Sequence, residues 1–171
     1  MAGSRTAAPT VSVLLPVFNG ADHVERALLS VLGQTLQDFE IIVVDDGSDD
    51  ATGEILRRYE GDQRITVVRK QHYEGLVAAL NDGLRSCSAD LVARLDADDT
   101  AHPGRLERQV ALFDEDPLLV LTATAYEVVS TDGTHIRNGI PPRTHAELVL
   151  AMIGGNRISH PSVMYRASAV L

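Results

Sequence analysis

The chain of 171 residues has one cysteine, one lysine and no cluster of basic residues. A single thiol, Cys87, excludes an internal disulfide and any zinc centre built from several thiolates, which suits a reducing compartment. Acidic residues number 24 against 15 basic ones, a formal net charge of -9. A polyanion such as nucleic acid is therefore repelled rather than gathered. Long apolar runs are also missing. The N-terminal MAGSRTAAPT lacks the apolar centre of a signal peptide, and no later segment approaches the roughly 18 apolar residues of a membrane span. The expected setting is the cytoplasm, with any attachment to the inner face of a membrane left to segments outside this sequence.

What is present points to a soluble globular domain. Hydrophobic residues make up 44% of the chain, enough for a real core at this length. Residues 1–9 read as a disordered tail and 10–171 as one domain. VSVLLPVF at 11–18 is a nearly unbroken apolar run with β-branched residues, the pattern of a strand buried on both faces. From Asp22 the apolar positions change to helical spacing (Val24, Ala27, Leu28, Val31, Leu32) and stop near Gly33.

The alternation then repeats. Strands are expected at 39–44, 65–69 and 91–95, with helices at 52–59 and 76–84. Pro103 suits the first turn of a helix running to about Phe113. Beyond Pro117 the pattern predicts a long strand over 118–129, a hairpin turn at Thr131-Asp132-Gly133-Thr134, a short helix at 144–153 and a last strand at 162–165. Such βαβ units specify an α/β fold with a mostly parallel central sheet between helical layers.

In sheets of this kind ligands bind outside the carboxyl ends of the strands, where the strand order reverses. The polar clusters fall there: Pro16-Val17-Phe18-Asn19-Gly20, Asp45-Asp46-Gly47-Ser48 and Asp96-Ala97-Asp98-Asp99. In LVARLDADDT, Asp96 and Asp98 are separated by one residue just past a strand, so both carboxylates can face one crevice. They offer the hard oxygen ligands that Mg²⁺ or Mn²⁺ prefers, with the remaining ligands coming from a diphosphate and water. Alternatively, Asp-rich loops are common solvated turns, with Asp99 or Thr100 capping the next helix.

Two phosphoryl-transfer patterns compete for the same aspartates. An apolar run followed by D-x-D-x-T fits a haloacid-dehalogenase-type phosphatase with Asp96 as nucleophile and Asp98 as acid/base. The Asp45-Asp46 pair suggests a response-regulator receiver domain. Both need a lysine downstream of the phosphorylated aspartate, whereas Lys70 lies upstream of Asp96, and arginine does not reproduce the compact ammonium. Asp46 reads instead as a nucleoside contact, with Gly47 allowing a sharp backbone turn beside it.

Taken together, these motifs resemble the inverting glycosyltransferases of family 2, which have the GT-A fold, a Rossmann-like three-layer sandwich. The matching pieces are VSVLLPVFNGADHVERALLSVLGQTLQDFEIIVVDDGSDDAT, the GLVAALNDGL helix, LVARLDADDTAHPGRLERQV and NRISHPSVMYR. They cover the chain from Thr10 to Arg166 in the expected order. The resemblance implies that Pro16 and Phe18 border the nucleobase beside Asn19 and that Asp46 binds the nucleoside. It places Asp96 and Ala97 near the ribose and diphosphate, and makes Asp98 the metal ligand with Asp96 beside it. Arg94 and Asp99 flank this motif. Asn81 and His160 are implied to border the donor, although a helix-surface asparagine and a structural histidine before Pro161 are the plain alternatives.

The implied reaction is inverting, metal-dependent transfer of a sugar from a nucleotide-diphosphate donor to an acceptor hydroxyl. A UDP-sugar is favoured, with TDP and GDP open, and the acceptor is a glycan, lipid or protein. Inversion needs a base to deprotonate the acceptor. In the family that carboxylate follows the HPSVMYR segment, so it is expected beyond Leu171. Glu107, Asp114, Glu115, Asp116, Glu127, Asp132 and Glu147 stand in helical or hairpin contexts that do not match it. The competing expectation is a non-catalytic nucleotide-sugar-binding module.

Overall fold

The structure, a computed structural model, describes residues 8–156 and 158–170. Val11–Val17 forms β1, followed by α1 (Val24–Leu32), β2 (Phe39–Asp45), α2 (Thr52–Arg57), β3 (Ile65–Arg69), α3 (Leu76–Ser86) and β4 (Leu91–Arg94). After α4 (Arg105–Glu115) come β5 (Leu121–Ala123), β6 (Tyr126–Val129), β7 (His135–Gly139), α5 (His145–Met152) and β8 (Val163–Arg166). Six strands make one sheet in the order β3-β2-β1-β4-β8-β5, while β6 and β7 pair as a separate antiparallel ribbon. The first four strands of that order are parallel, and β8 runs antiparallel to both β4 and β5. No helix among the described residues is long and apolar enough to cross a membrane.

Strand β1 is buried along its whole length because each face meets a different helical layer. Val11, Val13, Leu15 and Val17 pack with α1, α2 and α4 through Leu28, Leu56 and Leu106. Leu14 joins Ile42, Val44 and Ala79 of α3 on the opposite face. The period of two along the strand thus divides one apolar run between two cores. Gly83 lets α3 lie close to the sheet, since a Cβ there would collide with the side chains of Leu14 and Val44.

Several expected boundaries shift for local reasons. The long strand expected at 118–129 is two strands: β5 stays in the main sheet beside β8, and β6 leaves it at Thr124–Ala125 to pair with β7. Helix α4 starts at Arg105 rather than around Pro103. The carbonyl of Pro103 is used by Thr35 N–H, and that of His102 accepts from both Gln34 and Arg105. Of the expected tail, residues 1–7 lie outside the described residues, whereas Pro9 is buried and Thr10 bonds Asp38 through its N–H and hydroxyl.

The strand order reverses between β1 and β4, because β2 and β3 lie on one side of β1 and β4 on the other. A crevice is therefore expected beyond Val17 and Arg94.

Candidate nucleotide-sugar site

A cleft of ≈ 380 Å³ opens at that reversal, lined by the β1 end (Pro16 to Gly20), Asp46, Tyr73 and Leu76, and the Asp96-Ala97-Asp98 turn. The loops after β1 and β2 hold each other by paired bonds. Asn19 N–H donates to Ser48 Oγ, Asp49 N–H donates to Asn19 Oδ1, and Gly20 and Ala21 N–H reach Thr52 Oγ1 and Asp50 Oδ2. Asn19 takes a positive φ of 49° within this knot. Gly47 turns at φ 76°, and a Cβ there would run into the His72 backbone. Only glycine fits that close crossing without strain.

Asp46 is 2% exposed and well anchored. Its Oδ1 accepts from Glu74 N–H at 3.2 Å and its Oδ2 from Gly75 N–H at 2.8 Å, while Lys70 Nζ stands 3.1 Å from Oδ1. These amides sit at the start of α3, where no residue of the helix supplies a side-chain cap. Asp46 fills that role from just past the end of β2, matching an anion to the helix N-terminus. Across the cleft Phe18 and Tyr73 meet with ring centroids 4.3 Å apart at an interplanar angle of 40°. They are 45% and 60% exposed, so both keep an apolar face toward solvent.

At the end of β4, Asp96, Asp98 and Asp99 bring one carboxylate oxygen each to within 4.8 Å of one another. Arg94, 3% exposed, backs the cluster and donates from Nη2 to Asp96 Oδ1 at 2.6 Å. Burial pushes the Asp96 carboxyl above its ordinary range; Arg94 works against this and Asp98 adds to it. Asp99 is raised as well, by partial desolvation and then by the charges of Asp98 and Asp96. Mutual repulsion among hard oxygen donors is what a divalent cation relieves, so this donor set fits Mg²⁺ or Mn²⁺.

Of the residues expected from sequence, Pro16, Phe18, Asn19, Asp46, Asp96, Ala97 and Asp98 all line the cleft. Asn81 does not. It is exposed on α3, because Ala79 and Gly83 are the positions this helix turns toward the sheet. His160 stands one side chain back, its Nδ1 against Arg94 Nη1 rather than in the cleft. Three of the acids expected to lack a catalytic context have other work: Glu107 accepts from the Thr35 hydroxyl, Asp132 orders its turn, and Glu147 accepts from Arg143 N–H just ahead of α5, which Thr144 caps. Sequence reasoning missed His23, Tyr73, Leu76 and Ala79 as lining residues. QHYEG carries no strand or helix pattern; the crossing at Gly47 and the bonds from Glu74 and Gly75 N–H to Asp46 bring it to the site.

The α/β sandwich with its aspartate turn at the strand reversal defines a GT-A fold. The model of Glycosyl transferase family 2 matches residues 12–170, and the chain belongs to that family. It is 38% identical over 127 residues to the putative teichuronic acid biosynthesis glycosyltransferase TuaG of Bacillus subtilis, a match covering 74% of this chain and 50% of TuaG. The crystal structure of S. aureus TarS 1-349 superposes with a TM-score of 0.71 at 21% identity, covering 94% of this chain and 48% of TarS 1-349. Mannosyltransferase PcManGT from Pyrobaculum calidifontis, in complex with GDP-Man and Mn²⁺, gives 0.63 at 28% identity over 73% of this chain and 37% of that one. The chain thus spans about half the length of TuaG and of TarS 1-349.

Proposed function

We propose that the cleft binds a nucleotide-diphosphate sugar, with a divalent cation between its diphosphate and the aspartate turn, as the donor half of an inverting sugar transfer. The observation that carries this reading is the convergence of Asp96, Asp98 and Asp99 beside a cleft with an aromatic wall. Phe18 and Tyr73 offer faces for the base. Asp98, the more exposed of the cleft's two turn aspartates, would hold Mg²⁺ or Mn²⁺ together with Asp96. When bound, the cation would offset the charge on the departing diphosphate. The domain in this reading is 10–171.

The state of Asp46 favours UDP over GDP. A carboxylate has about four acceptor positions; Glu74 and Gly75 N–H occupy two, and the Lys70 ammonium, an ion-pair partner 3.1 Å from Oδ1, covers the space at a third. The one left suits the single imide N–H of uracil or thymine, whereas guanine presents two adjacent donors and asks for two acceptors. Related structures support nucleotide binding without choosing the base: TarS 1-349 has been crystallised with UDP and with UDP-GlcNAc. PcManGT carries GDP-Man.

Transfer itself joins the acceptor oxygen to the anomeric carbon, breaks the bond to the diphosphate oxygen and sends the acceptor proton to a base. Two of the acids in the cleft lining are already committed, Asp46 to Lys70 and α3 and Asp96 to Arg94, and Asp98 would be taken up by the cation. This favours a second reading for the chain taken alone, donor binding without turnover. Thermal shift and calorimetry with UDP, TDP and GDP, each with and without Mn²⁺, run beside a sugar-transfer assay, test both. Metal-dependent UDP binding is expected; no response to any nucleoside diphosphate would refute the donor site, and robust transfer would refute the second reading.

A further inference from the structure

Lys70, the only lysine in the chain, has a side chain 7% exposed, with Nζ 3.1 Å from Asp46, 3.0 Å from Glu74 and 3.2 Å from Asp82. These carboxylates come from three places: the end of β2, the turn before α3, and α3 itself. The backbone of Lys70 is fixed as well, its N–H donating to Asp45 C=O at 2.9 Å. The ammonium is thus a hub beneath the nucleoside end of the cleft, with the exposed Tyr73 and the α3 start built around it.

Resting on the nucleotide reading above, we propose that Lys70 is a positioning residue for nucleotide binding, acting through Asp46 rather than by touching the ligand. Three features support this. Lys70 does not line the cleft, while Asp46 does. Asp46 is buried, and a buried carboxylate without a cationic partner either takes up a proton or turns toward water. The same oxygen that faces Lys70 also accepts from Glu74 N–H, so losing the ammonium loosens the turn that carries Tyr73. The pairing with Asp82 anchors the hub to the helix, which makes the position of Asp46 depend on α3 as well as on β2.

The protonation balance agrees with the geometry. Burial opposes the charge on Lys70, but the Glu74, Asp46 and Asp82 carboxylates outweigh it and hold the ammonium above its ordinary range. Lys70 therefore stays charged throughout the range in which the protein would bind a nucleotide.

Lys70→Met keeps an unbranched side chain, one atom shorter, and removes the charge, and Lys70→Arg restores a charge. Calorimetry with UMP and UDP, each in the presence of Mn²⁺, measures the effect on both variants. UMP and UDP are expected to weaken by the same factor in Lys70→Met, about tenfold or more, with most of the loss recovered in Lys70→Arg. Mn²⁺ binding without nucleotide should stay within about twofold, because Lys70 has no contact with the aspartate turn. If Lys70→Met does not fold, the Asp46→Asn single and Asp46→Asn/Lys70→Met double variants replace it. A double variant no weaker than Asp46→Asn supports action through Asp46. Unchanged UDP affinity in a folded Lys70→Met, or a double variant clearly weaker than Asp46→Asn, overturns the proposal while leaving the donor site standing. Wild-type protein that binds no nucleotide overturns both.

Discussion

Arg94 Nη2 and Asp96 Oδ1 lie 2.6 Å apart, a nearly buried guanidinium set directly behind a carboxylate of the cleft. Asp96 therefore has two duties, one toward the cleft and one toward the interior, whereas Asp98 has no ion-pair partner among the described residues. The two aspartates should respond differently to the same substitution. Asp96→Ala leaves Arg94 without its counter-charge and is expected to lower unfolding free energy by about 1–3 kcal/mol, the usual cost of orphaning a partly buried charge. Asp98→Ala should stay within about 0.5 kcal/mol, as surface changes do, yet abolish metal-dependent UDP binding. Urea denaturation and calorimetry on the two variants check this; equal stability losses would remove the distinction.

The aromatic pair gives a second expectation. Tyr73→Ala removes one face of the Phe18 contact without touching the core, so stability should change little. Stacking of a base on an aromatic side chain is worth about 1–3 kcal/mol, so UDP affinity should fall by about fivefold or more. Titration of the variant with UDP and Mn²⁺ reads it directly. Asn81→Ala, on the exposed side of α3, should leave the same titration unchanged.

Cys87 provides a pH-dependent check away from the cleft. Burial pushes its thiol up to about 11, with Ser12 pulling the other way and Glu40 adding to the rise. Alkylation by iodoacetamide at pH 8 should therefore be much slower than for a free thiol. The unfolded chain ionises first, so between about pH 9 and 11 the folded state holds more protons than the unfolded one. Stability then falls with rising pH, by on the order of 2–3 kcal/mol across that window, and Cys87→Ala should flatten the slope.

Gly83 tests the packing of α3. Any larger residue must displace Leu14 and Val44, so Gly83→Val is expected to lose about 1–3 kcal/mol despite the better helix propensity of a non-glycine residue. Denaturant midpoints would show it, with an unchanged slope if the fold is retained.

Much of this architecture was legible in the residues because the local signals agreed. VSVLLPVF has the pattern of a strand covered on both faces, which holds for Val11–Val17 though not for the exposed Phe18, and each acidic cluster followed such a strand, which placed Asp46, Asp96 and Asp98 at one sheet edge. What stayed hidden depended on contacts between distant segments. Nothing in HYEG announces that Tyr73 reaches Phe18, since that follows from the backbone crossing at Gly47. The stretch 118–129 keeps strand character throughout, so its division reflects the availability of two partners, β8 and β7. Asn81 matched a family position, but the rotation of α3 is set by Ala79 and Gly83 against the sheet. Lys70 entered the sequence reading only through its position upstream of Asp96; its three carboxylates converge only in the folded chain.

The pairing of β4 with β8 has a consequence for assembly. Residues 91–93 align with 164–166, Arg105 reaches the carbonyl of Val163, and Arg94 meets His160 across 66 positions of sequence. Contacts so far apart along the chain are slow to form, because a long loop must close before they are rewarded. During synthesis β1 to β4 can condense while the back wall behind Asp96 is still unmade. The aspartate turn reaches its final support only once the HPSVMYR segment has emerged and paired beside β4, so it matures after β1 to β4 have condensed.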